Sequence, residues 1–137
     1  MNEIVLDTSV VVKWFSRETA TAAALRIRDG LVGGEISILA PDLLLVELAN
    51  ALRHHPIFGV EDVCAAVQSV VDLGIDFVPT GADLLSAAID LAFQCEITVY
   101  DGCFLALAEA HGIPLVTADE KLGRKAKSRP ALVRLSD

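Results

Sequence analysis

A short strand that ends in an acid constrains this chain more than any other feature. Ile4-Val5-Leu6 is apolar without polar alternation and runs straight into Asp7-Thr8-Ser9. An uninterrupted apolar run of that length reads as a strand buried on both faces, as in the middle of a parallel sheet. Its terminal carboxylate then falls on the carboxyl edge of the sheet, where open α/β sheets build their ligand crevices.

The chain beyond it alternates helical and extended patterns. Residues 10–15 read as a short helix with Lys13 as the only charge. Thr19 is placed to cap a second helix that runs to about Leu31 and stops at Gly33-Gly34. Residues 36–39 are a short strand or an extended lead into Pro41, and Pro41-Asp42 open a third helix. Glu61-Asp62 start a fourth, ended by Gly74, and residues 75–79 form the next strand. Gly81-Ala82-Asp83 begin a helix to about Gln94. The stretch Ile97-Thr98-Val99-Tyr100 then reads as extended before Asp101, followed by a helix that Gly112 stops. Residues 113–117 are a second buried-type strand, Ala118-Asp119 open a basic helix, and residues 131–135 close with a last strand. Strands alternating with helices over 137 residues predict one α/β domain spanning 1–137, with a central, mostly parallel β-sheet flanked by helices.

Composition agrees with one packed core, since 53% of the residues are hydrophobic. Apolar runs break before the ~18 residues of a membrane span, and Glu3 and Asp7 interrupt any signal-peptide pattern. A soluble, cytoplasmic protein with no membrane partner is expected. Cys64, Cys95 and Cys103 are odd in number and lack C-x-x-C spacing, so they read as small buried residues in a reducing compartment. His54, His55 and His111 read as cationic helix ends rather than metal ligands.

Two further patterns concern function. The helix after Pro41 reads Leu-Leu-Leu-Val-Glu-Leu-Ala-Asn-Ala-Leu, apolar all round except for Glu47 and Asn50, which are neighbours three residues apart. A helix of that kind is buried on most sides, and a buried Glu47 needs a cation or a metal site; the alternative is a partly exposed glutamate. The net charge of −8 disfavours nucleic acid overall, but Lys121, Arg124, Lys125, Lys127, Arg129 and Arg134 crowd the last residues against Asp137 alone. That cluster is either a nucleic-acid contact or an ordinary solvated helix.

Asp7, Asp101 and Asp119 share one arrangement, an extended stretch, an acid and then a helix. Each alone is equally well a helix cap. Jointly, with Glu47, they bring several carboxylates to one sheet edge, where they repel unless a cation is present. Oxygen ligands without Cys or His select Mg²⁺ or Mn²⁺.

The stretch Ile4-Val5-Leu6-Asp7-Thr8-Ser9-Val10-Val11-Val12-Lys13-Trp14-Phe15 resembles the opening of PIN-domain proteins of the VapC toxin type. Val46-Glu47-Leu48-Ala49-Asn50-Ala51-Leu52 resembles their second motif, and Tyr100-Asp101 before Leu105-Ala106-Leu107-Ala108 the third, with Gly102-Cys103 a departure beside the acid. Leu115-Val116-Thr117-Ala118-Asp119-Glu120-Lys121-Leu122 resembles the fourth. The resemblance implies a metal-dependent endoribonuclease, usually the toxin of a toxin–antitoxin pair and a homodimer. Its acids map onto Asp7, Glu47, Asp101 and Asp119, with Ser9 and Thr117 as supporting hydroxyls and Asn50 as a weaker member. Lys13, Arg17, Lys121, Arg124 and Lys125 are candidates to hold the RNA backbone. A nuclease of RNA processing without an antitoxin is the alternative within that family. Outside it stands a Mg²⁺-binding phosphoacceptor signalling domain, which would want paired acids after the first strand and a lysine after the last. A haloacid-type phosphatase wants D-x-D, which Asp7-Thr8-Ser9 does not supply.

Overall fold

The computed structural model describes residues 2–16 and 21–136. Among them, β1 (Asn2–Leu6), β2 (Ile36–Pro41), β3 (Asp76–Val78), β4 (Leu115–Thr117) and β5 (Leu132–Arg134) form one sheet in the order β3-β2-β1-β4-β5. Every pairing is parallel, so each strand ends on the same edge. The chain winds outward from β1 to β2 and β3, then returns to place β4 on the other side of β1. The order therefore reverses between β1 and β4, and a crevice opens at the carboxyl ends of those two strands.

The connections are helical: α1 (Thr8–Val12), α2 (Ala22–Val32), α3 (Leu43–Arg53), α4 (Val60–Asp72), α5 (Ala82–Cys95), α6 (Val99–His111) and α7 (Glu120–Lys125). Thr21 caps α2 through its hydroxyl, at 3.2 Å from the Ala24 N–H. The expected cap, Thr19, lies outside the described residues. Trp14 donates its indole N–H to the Ala24 carbonyl at 2.8 Å and ties the segment after α1 to α2.

The central helix is α6, in which every residue from Gly102 to Ala108 is buried. Phe104 and Leu105 are completely covered, as are Leu6 of β1 and Leu115 of β4. Each such side chain contributes about 2–3 kcal/mol of transfer free energy. Gly102 lets α6 approach α5 at backbone distance: a Cβ there would stand 2.5 Å from the Ala88 carbonyl oxygen.

Three local expectations are corrected. Pro41 is the last residue of β2, paired with Val78, and does not open α3. At the end of a ladder its missing N–H forgoes little. Residues 97–100 are not a strand; Thr98 is extended as the cap of α6, and Val99 and Tyr100 are already helical and exposed. Helix α3 is buried on one face only, through Leu44, Leu48 and Leu52, whereas Val46 on the other is 72% exposed. The cysteines also divide: Cys103 is buried, Cys95 half-buried and Cys64 exposed. His54 and His111 do sit at the ends of α3 and α6.

Candidate active site at the carboxyl edge of the sheet

Asp7 follows β1 and begins α1, yet its side chain caps nothing. It is 4% exposed, and its Oδ2 accepts from Ser9 Oγ at 2.5 Å and from Thr117 Oγ1 at 2.8 Å. Ser9 Oγ in turn accepts the Ala118 N–H at 2.9 Å, and Thr117 Oγ1 accepts the Asp119 N–H at 3.0 Å. Two hydroxyls thus join the ends of β1 and β4 and hold one oxygen of the buried carboxylate. Desolvation pushes Asp7 above the ordinary carboxylate range, the two hydroxyls pull it back, and the charge of Asp119 adds to the rise.

Glu47 reaches the same place from α3. Its Oε1 accepts from Thr8 Oγ1 at 2.7 Å. Burial raises its pKa, the Thr8 hydroxyl lowers it and Asp7 raises it further. Asp101 occupies the first turn of α6, where its N–H bonds the Thr98 hydroxyl at 3.0 Å. Burial, then the charges of Asp7 and Asp119, push its pKa up to about 6, with Glu47 contributing in the same direction. Asp119 caps α7 through Oδ1, which accepts the Lys121 and Leu122 N–H groups at 2.9 and 3.1 Å. Asp7, Glu47 and Asp101 therefore share a single sheet edge with Asp119, whose charge acts on Asp7 and Asp101.

No three His, Cys, Asp or Glu side chains among the described residues already converge on one ligating position. One oxygen each of Asp7, Glu47 and Asp119 is committed to a protein donor. The donor set itself, carboxylates and hydroxyls with no His or Cys, suits a hard divalent cation of the Mg²⁺ or Mn²⁺ kind.

The remaining candidates divide. Lys121 and Lys125 line a cleft of about 450 Å³ together with Asp101 and Asp119. Lys13 lines a second, of about 330 Å³, with Thr117, Asp119 and Arg134. Arg124 and Lys127 are exposed and line neither cleft, and Arg17 lies outside the described residues. Arg129 leaves the basic cluster altogether, because its guanidinium forks onto both Glu109 oxygens at 2.7 Å. Asn50 is exposed and lines a groove between α3 and α4 with Val46, Arg53 and Phe58. Sequence reasoning gave Thr8 no role in the site and counted Arg134 only as one member of the basic cluster, without placing it. The signal for Thr8 was its place beside Asp7, whereas Arg134 required the β4–β5 register.

A family model for the PIN domain matches residues 4–128. Ribonuclease VapC1 of Mycobacterium tuberculosis is 33% identical over 125 residues, 89% of this chain and 90% of that protein. Ribonuclease VapC3 of Pyrobaculum aerophilum is 31% identical over 135 residues, 96% of this chain and 98% of that protein. Among solved structures, VapBC2 from Rickettsia felis, bound to a DNA fragment from its promoter, shares the fold. The TM-score is 0.69 at 17% identity, covering 96% of each chain.

Proposed function

The chain belongs to the PIN-domain family, and from that membership we propose that it is a metal-dependent endoribonuclease, the toxin of a type II toxin–antitoxin pair. The observation that carries the reading is the gathering of Asp7, Glu47 and Asp101 at the switch point of the sheet, with the charge of Asp119 acting on Asp7 and Asp101. Its supports are the two relatives named as ribonucleases over nearly their whole length. Membership in this family sets aside the phosphoacceptor reading.

Asp7 and Asp101 would be the primary ligands of Mg²⁺ or Mn²⁺, with Asp119 and Glu47 completing the site or positioning water. A cation held there would supply an acidified water and neutralise the charge of the phosphate. The protein's own part is orientation. Ser9 and Thr117 fix Oδ2 of Asp7, and Thr8 fixes Oε1 of Glu47, so that the two carboxylates are held in place before a cation binds. Lys121, Lys125 and Lys13 offset the repulsion between an acidic body and the RNA backbone.

The antitoxin would cover the apolar groove of α3 and α4, where Val46 and Val60 are 72% and 81% exposed. Its arginines would fork onto the carboxylates. A homodimer would cover Leu85, Ile89 and Phe93, a stripe along α5 spaced four residues apart. No single helix among the described residues is long and apolar enough to cross a membrane, and we place the protein in the cytoplasm.

The test is cleavage of RNA by the purified chain. EDTA should abolish it, Mg²⁺ or Mn²⁺ should restore it, and Zn²⁺ should restore it poorly. Activity that survives exhaustive chelation refutes the carboxylate site. Growth arrest on expression, relieved by the product of a small adjacent reading frame, separates a toxin from a processing nuclease.

A further inference from the structure

Two clefts meet at Asp119. One carries Lys121 and Lys125 beside Asp101; the other carries Lys13 and Arg134 beside Thr117. Arg134 is the residue for which nothing yet accounts. Three independent features put it there.

The first is register. Arg134 is the direct strand partner of Thr117, and the Leu135 N–H closes the pairing on the Thr117 carbonyl at 2.7 Å. Thr117 is the residue whose hydroxyl holds Asp7. Arg134 is therefore one strand away from the carboxylate cluster, on the edge where that cluster opens. The second is a space left for it. A Cβ at Gly123 of α7 would stand 2.5 Å from Arg134 Nε and 3.0 Å from its Cζ. The guanidinium thus lies directly against the helix at the one residue without a side chain. The third is charge. Among the described residues Arg134 has no carboxylate partner, unlike Arg28 and Arg129.

An arginine seated against a helix beside a cluster of acids has a reason to be there if an anion joins them. Its planar fork matches two phosphate oxygens at once. We propose that Arg134 is a phosphate anchor for single-stranded RNA in the cleft it shares with Lys13, seated there by Gly123. The proposal rests on the ribonuclease reading above. It adds a second grip on the backbone, so that the strand is held in both clefts flanking Asp119.

The experiment measures binding of a labelled single-stranded RNA to the full chain carrying Asp7→Asn, which keeps the RNA intact. Arg134→Ala should weaken binding roughly tenfold, the scale of one charge-assisted pair. Its slope of log affinity against log salt should fall by about 0.7. Arg134→Lys should keep the slope and lose part of the affinity, since an ammonium cannot fork. Gly123→Ala should weaken binding with every charge retained, because a methyl there displaces the guanidinium; its melting temperature shows whether the fold is intact. Arg28→Ala, on α2 where its guanidinium pairs with Asp29, should bind as the parent does. Parental affinity, or an unchanged salt slope, in Arg134→Ala overturns the anchor while leaving the nuclease reading in place, provided the wild-type chain cleaves RNA with Mn²⁺. A parent that neither binds nor, as wild type, cleaves RNA overturns both.

Discussion

Asp101→Asn should make the metal-free protein more stable at neutral pH, even though it removes a residue of the proposed site. In the folded chain the Asp101 carboxyl titrates at about 6 instead of an ordinary 3.8. Between those pH values the folded state holds a proton that the unfolded chain has released, so stability falls as pH rises. Taken at face value, that difference is about 3 kcal/mol at pH 7.5. Asp101 is only half-buried, and solvent screening reduces the figure to about 1.5 kcal/mol. An acid in the first turn of α6 also gains about 0.5 kcal/mol from the helix dipole, which asparagine forgoes. The net gain is about 1 kcal/mol, or about 3–5 °C in melting temperature for a domain of this size. Urea or thermal unfolding in EDTA measures it. The gap should be small near pH 4, open through pH 6 and stay open above pH 7. Mn²⁺ should then reverse the order at pH 7.5, raising the melting temperature of the wild type far more than that of the variant. A variant no more stable than wild type in EDTA at pH 7.5, or a gap that ignores pH, would refute the electrostatic account of the site.

Thr8→Val should lower the Mn²⁺-induced rise in melting temperature, because Glu47 loses the hydroxyl that orients it, while Thr8→Ser should preserve that rise; equal responses would show the 2.7 Å bond to be incidental. Gly102→Ala should cost about 1–3 kcal/mol in urea unfolding despite alanine's better helix propensity, since its methyl meets the backbone oxygen of Ala88. Arg129→Ala should lose about 1 kcal/mol of stability and leave the salt dependence of RNA binding untouched, as expected of a half-exposed forked pair with Glu109. Asp83→Asn, on the exposed start of α5, should change neither Mn²⁺ response nor cleavage; a loss there equal to that of Asp7→Asn would contradict the site.

What was legible in the sequence was whatever local pattern dictates. Ile4-Val5-Leu6-Asp7 and Leu115-Val116-Thr117 before Asp119 carried their strand type and their edge with them, and the site inherits its location from those two. Asp101 was found for a reason only partly right. The β-favouring run before it suggested a strand, but the Thr98 hydroxyl captures the Asp101 N–H and starts the helix three residues earlier than the apolar pattern implies. Helix α3 misled through composition: Val46 is apolar yet exposed, because the groove it faces is uncovered in a single chain. The contacts of Arg129 and Arg134 were out of reach. One pairs with a residue 20 positions away and the other depends on which strands lie side by side. Pattern along a chain reports periodicity and capping; it does not report register.

The contact of Gly102 with Ala88 bears on how such a site withstands sequence drift. The neighbouring Asp101 is located by backbone against backbone, not by the shapes of surrounding side chains. Apolar residues around α6 can therefore be exchanged for others of similar volume while the carboxylate keeps its coordinates. Intolerance is concentrated instead at one residue that takes no part in the chemistry. A library randomised across α6 should show it: many solutions at Leu105 or Leu107, and almost none at a glycine whose only task is to be absent.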